Sequence, residues 1–188
     1  MTYENFLNEL SYVNHSRENR AKYAQMVLEN KNLMPVLLKV LFEVDSKMSC
    51  RAAWVLEFIT KKKPLILLPY IDGFTAQIEN VHLDSAVRPV AKICGYLVEN
   101  HVDKKIIPIK KLIKPVHLER IIAVNFDYLI GDHKIAAKAY AMQSLYWLGF
   151  QFTWIHPELQ IILERGYPNG SPAYKARARK ILKQLKFQ

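Results

Sequence analysis

The chain has 188 residues, 51% of them hydrophobic and 23% charged, with a formal net charge of +10. That length and apolar content suffice for a substantial core, so one domain over 1–188 is expected and extended disorder is excluded. The charge points to an acidic partner, whether nucleic acid, an anionic membrane or an acidic protein, while no apolar run exceeds Pro64 to Ile71, far short of a bilayer span, and no secretory signal opens the chain.

Phe6, Leu7, Leu10 and Val13 recur at helical spacing from Tyr3 to Val13, and Asn14 or Ser16 opens a second helix with Ala21, Ala24, Val27 and Leu28 on one side. This first helical pair is polar enough outside to act as an end cap. Pro35 sits in a first turn, and Val36, Leu37, Val40 and Leu41 continue the helix to about Val44, where Asp45 breaks it. Ser49 to about Lys61 is apolar on most sides, which predicts a helix in the middle of the packing. Its Glu57 precedes Lys61 by four residues, the favourable order for an ion pair within one helix; a buried acidic catalyst is the sharper alternative. Pro64 to Val81 reads as helical, kinked or divided by Pro69 and Gly73.

Asp84 to Glu99, DSAVRPVAKICGYLVE, is the stretch to which the others compare. Asp84 or Ser85 caps a helix, and Pro89 is early enough for its missing N–H to cost little. Val87, Val90 or Ala91, Cys94, Leu97 and Val98 share one face, and small residues at Ala91 and Gly95 admit a close helix neighbour. Partial copies run from Asp45 to Phe58, from Asp132 to Leu145 and from Ser171 to Leu182, each with a basic residue early and small or apolar residues after it. Arg51, Arg88, Lys138 and Lys175 correspond, with Arg20 a weaker match, which makes this an internal repeat.

Between Asn100 and Pro115 the segment HVDKKIIPIKKLIK reads as an insertion, for it stretches the interval between aligned cations from 37 residues to 50. Pro115 then starts an outer helix carrying Leu118, Ile121, Ile122 and Leu129, turned at Gly131 and Asp132; the helix through Lys138 ends near Gly149. His156 and Pro157 open another helix, stopped by Gly166 and Pro168, and Ser171 followed by Pro172 starts the last. Cys50 and Cys94 lie in apolar contexts and form no CxxC pair, so buried free thiols in a reducing, cytoplasmic compartment are expected.

The pattern Asp84-x-x-Val87-Arg88-x-x-Ala91 after an apolar helix and a short turn resembles the second half of a HEAT repeat. The other copies are degenerate, with longer spacings before Arg51 and Lys138 and Trp54 at the position of Ala91. This resemblance implies an all-α fold, an α-α superhelix of about five stacked antiparallel helix pairs whose second helices line a concave face. It also implies a binding scaffold, and one branch of such proteins, the DNA alkylation repair proteins, holds DNA on a basic concave face. The whole chain is also similar to short bacterial proteins labelled adenylosuccinate lyase. The true lyases carry the signature Ser-Ser-x-Met-Pro-x-Lys-x-Asn. At Asn169 to Arg177, NGSPAYKAR, only Tyr174 and Lys175 fall in register, with Asn169 and Gly170 at the serine positions and Pro172-Ala173 in place of Met-Pro.

Two readings stand for the aligned cations. They form a ladder that neutralises phosphates or carboxylates, one rung per repeat, or they bond to a nearby Asp or to carbonyls of the adjacent repeat and hold the stack in register. Lys175, Arg177 and Arg179, with Lys180, Lys183 and Lys186 beyond them, are the stronger phosphate candidates beside Lys104 to Lys114, because few acids lie near; a solvated basic face is the plainer alternative. Tyr140, Tyr146, Trp147 and Trp154 fit core packing better than base stacking. The six histidines form no HExxH, and neither a GxSxG nor a phosphate-cradling glycine loop occurs, so no catalytic residue, metal or cofactor is assigned. The expected function is non-enzymatic recognition of an acidic protein or nucleic acid, and not of a membrane, through the concave face or the basic C-terminal edge; a lyase-related enzyme and a DNA-binding repair protein are the alternatives.

Overall fold

The computed structural model describes residues 2–186, which form eleven α-helices and no strand. They divide into two compact units, Met1–Tyr96 and Leu97–Gln188. None of the described helices is long and apolar enough to cross a membrane.

The first unit holds α1 (Tyr3–Ser11), α2 (Arg17–Glu29), α3 (Leu33–Leu41), α4 (Lys47–Lys62), the short α5 (Ile71–Thr75) and most of α6 (Asp84–Val98). Thr2, Ser16 and Ser46 cap α1, α2 and α4 by accepting an amide hydrogen with their hydroxyl oxygens. Ala52, Ala53, Val55, Leu56 and Ile59 of α4 are fully buried, and this helix packs against α1, α2 and α3. An apolar helix of this kind has no face to give to water, so it takes the centre, as its composition predicts. Ala21 is exposed, and Tyr23 joins Ala24, Val27 and Leu28 on the buried side of α2 instead. Pro69 and Gly73 fall where the helical path from Pro64 is divided: a 3₁₀ stretch spans Pro64–Tyr70 before α5.

Pro89 does not occupy the first turn. It is the sixth residue of α6, which opens with the Leu83 carbonyl accepting from Ala86 and Val87. A proline at that depth deprives the Ser85 carbonyl of its partner four residues on. The Trp54 indole N–H of α4 fills the gap, donating to the Ser85 oxygen at 2.7 Å. Thus Trp54 of α4 compensates for the proline in α6.

The second unit begins with a π turn at Glu99–Asp103 and holds α7 (Ile107–Leu112), α8 (Pro115–Ile130), α9 (Ile135–Leu148), α10 (Ile155–Gly166) and α11 (Pro172–Leu185). The inserted segment therefore has helical turns of its own, joined through Lys105, whose φ of 53° is left-handed. Here α9 is central, packed against α8, α10, α11 and the π turn. Ala137, Ala141, Met142, Leu145 and Leu148 form its buried side. At the corner to α10, Gly149 leaves room for His156, whose Nε2 lies 2.8 Å from the Tyr146 carbonyl; a Cβ at Gly149 would stand 1.9 Å from the imidazole. Trp154 is half exposed and stacks on Phe126 with ring centroids 5.7 Å apart, and Tyr140, Tyr146 and Trp147 are only partly buried, so none of the four is the core residue its context predicts.

Within the units, α1 lies beside α3, α2 beside α4, and α9 beside α11. Consecutive helices α3 and α4, α8 and α9, and α10 and α11 also pack together, as do α1 with α4 and α9 with α10.

Candidate functional site

Each aligned cation has its own surroundings. Arg51 of α4 is half-buried and donates through Nη1 to the carbonyls of Leu10 (3.5 Å) and Ser11 at the end of α1, with Met48 Sδ at 3.7 Å. The last carbonyls of a helix lack intrahelical donors and carry partial negative charge, so a guanidinium there supplies both hydrogen bonds and charge. Arg51 is a structural clamp. Arg20 is held by carbonyls of the turn ahead of its own helix: it donates to His15 O at 2.9 Å and Ser16 O at 3.3 Å while lying 5.0 Å over the Phe58 ring. Burial lowers its pKa, against the opposing pull of Glu57.

Glu57 does not pair with Lys61, which is exposed. It is 2% exposed, and its Oε1 accepts from Lys92 of α6 instead. The sequence offset favours Lys61, but that partner points to solvent, whereas a cation from the adjoining helix reaches the interior. Oε2 of Glu57 is buried without a hydrogen-bond partner. Arg88 is exposed and makes no ion pair among the described residues, although its charge is felt by Arg20. Cys50 and Cys94 are buried free thiols; desolvation pushes the Cys94 pKa up to about 12, which leaves no thiolate for chemistry.

In the second unit the cations are spent differently. Lys138 is half-buried at the edge of a cleft formed by the end of α8, the start of α9, the end of α10 and the start of α11, and no carboxylate pairs with it among the described residues. Lys175 and Arg177 are half-buried on α11, also without an ion pair. Arg179 is exposed and donates from Nε to the Tyr167 hydroxyl at 3.1 Å. With Lys183 and Lys186 it borders a groove of about 550 Å³ floored by Tyr167, Pro168 and Leu182, which Glu164 also lines. Ser171 caps α11 by accepting from the Tyr174 amide at 3.2 Å, and Pro172 occupies its first position. The first turn has no acid, and Lys175 follows directly, a charge order opposed to the helix dipole.

Four of the six candidate binding residues, Lys138, Lys175, Arg177 and Arg179, therefore belong to the neighbouring helices α9 and α11 of one unit. Arg165 and Tyr174, which line the same cleft as Lys138, were not among the binding residues expected from the sequence. They stand on α10 and α11, and no local spacing ties them to Lys138. No protein family, curated protein or solved structure matches this chain in comparison.

Proposed function

We propose that the protein is a non-enzymatic binding scaffold of stacked, HEAT-like helix pairs that recognises a polyanionic macromolecule through the basic face of α11. Support for the stacking is the like-with-like order of neighbours, α1 with α3, α2 with α4 and α9 with α11. The observation that carries the function is the charge of α11. Lys175, Arg177, Arg179, Lys180 and Lys183, followed by Lys186 at the helix end, share one helix with no acid, and none forms an ion pair among the described residues. Such cations contribute to binding by displacing counterions from a phosphate chain. The groove below Arg179 adds an apolar floor beside the charge, suited to a flat aromatic group.

Fluorescence anisotropy with a labelled mixed-sequence single strand, titrated over a series of salt concentrations, tests this. Affinity is expected to fall steeply with salt, and the triple change Lys175→Ala, Arg177→Ala and Arg179→Ala is expected to reduce the log–log slope by about 2. Binding of a glutamate-rich peptide with the same salt response, and none of the nucleic acid, would assign the face to an acidic protein. Absence of both at low salt would remove the proposal.

A further inference from the structure

The cleft beside Lys138 has a character of its own. It measures about 560 Å³, and its lining contains Lys138 and Arg165 but no acid. Neither cation is held by a carboxylate among the described residues. His133 and Asn169 also line it, and so does Tyr174. Tyr174 is only 9% exposed, and its phenol, which still meets the open cleft, makes no hydrogen bond among the described residues. Burial raises the phenol's pKa, so at neutral pH the group is a protonated donor. Two glycines permit this placement: a Cβ at Gly166 would stand 2.5 Å from the Tyr174 hydroxyl, and one at Gly170 would stand 2.5 Å from its ring. Leu129, Ile130, Ile135 and Ile162 supply the apolar part of the lining.

The backbone at the start of α11 contributes little to this arrangement. Pro172 has no N–H to offer, and the Ser171 hydroxyl already accepts from the Tyr174 amide. Beside His133 and Asn169 the cleft presents two cations and one phenolic donor next to aliphatic side chains. A phosphate monoester carries close to two negative charges and three acceptor oxygens, which matches that donor set in charge and number.

We propose that this cleft is a binding site for a small organic phosphate, with Lys138 and Arg165 taking the phosphate, Tyr174 donating to one of its oxygens, and the aliphatic side chains covering an apolar body. The site is separate from the outer face of α11 and does not rest on polyanion binding there. Phenyl phosphate is a suitable probe, titrated into nitrogen-15-labelled protein and followed by amide shifts, with inorganic phosphate, benzoate and benzyl alcohol as companion probes. Saturable shifts at Gly166 and Gly170 are expected, tighter for phenyl phosphate than for the other three probes. The double variant Lys138→Gln/Arg165→Gln is expected to weaken binding about tenfold or more. Tyr174→Phe, which keeps the ring, is expected to weaken it by about threefold or more with an unchanged amide spectrum elsewhere. Benzoate binding as tightly as phenyl phosphate would overturn the phosphate assignment. The site itself would be overturned by the absence of saturation at millimolar probe, by wild-type affinity in the double variant, or by shifts confined to Lys183 and Lys186.

Discussion

The two central helices, α4 and α9, occupy equivalent places in their units and carry a cation near the start, yet Arg51 and Lys138 do different work. Arg51 meets the carbonyl end of α1 and is consumed by it. Lys138 meets a cleft. The contrast extends beyond the pair. In the first unit Arg20 is bonded to backbone oxygens and Lys92 to Glu57, with Arg88 forming no ion pair, whereas in the second Lys138, Arg165, Lys175 and Arg177 form none among the described residues and Lys104 pairs with Glu99. A basic residue at a repeat position is therefore no more structural or functional than its neighbours make it. What decides is whether a helix end or a buried acid lies within reach.

The largest test of this contrast is in the first unit. Glu57 is almost fully buried and depends on Lys92, whose side chain is 20% exposed. Lys92→Ala leaves the carboxylate without its cation, and a loss of about 3 to 5 kcal/mol is expected, on the order of 10 °C in Tm. Replacing the pair together, Glu57→Leu with Lys92→Met, is expected to recover most of it, since apolar residues of similar volume need no partner. Thermal unfolding followed by circular dichroism measures both. A Lys92→Ala variant as stable as the wild type would show that the first unit's cations are as dispensable to folding as those of α11.

A matched pair of substitutions sharpens the comparison further. Arg51→Met keeps the aliphatic stem but removes the donors to Leu10 and Ser11, and about 1 kcal/mol is expected to go, a figure reduced because the group is partly solvated. Lys175→Met, at the aligned position of α11, is expected to change stability by less than about 0.5 kcal/mol. Denaturant midpoints at a constant m-value read the difference. Equal effects at the two positions would mean that repeat register, and not local surroundings, sets the role of the cation.

The order of the helices was legible because its signals are local. Prolines at Pro115 and Pro172, the Ser171 cap and the turn at Gly131 each act within one helical turn, and each falls where the structure has a boundary. The partners were legible only in part. Glu57 has a suitable cation four residues away in sequence, and nothing local reveals that Lys61 faces water while Lys92 of another helix turns inward. Pro89 looked harmless by its distance from Asp84, and its cost is met by Trp54, distant in the chain. The cleft was hidden for the same reason. Lys138, Arg165 and Tyr174 are ordinary on their own helices and acquire a common meaning only when α9, α10 and α11 pack.

The gentlest test compares the buried titratable groups of the two units. Glu57 has a cation, but the partners of His101, which is 6% exposed, are neutral: Gln151 Oε1 at 3.2 Å from Nε2 and the Ile109 backbone. Burial lowers the His101 pKa below its ordinary value, the nearby charge of Lys110 lowers it further, and the bond to Gln151 opposes the shift. The unfolded chain therefore binds this proton more readily than the folded one between the lowered folded value and the ordinary value near ~6.5. In that window stability rises with pH, so the contribution is complete above the unfolded pKa and is lost as pH falls toward the folded one. Melting temperatures measured from neutral to mildly acid pH should show this decline, and His101→Phe, which cannot titrate, should flatten part of it. Were the decline unchanged in that variant, the second unit would have no buried group paying for its missing counter-charge, and the contrast with Glu57 would rest on the lysine alone.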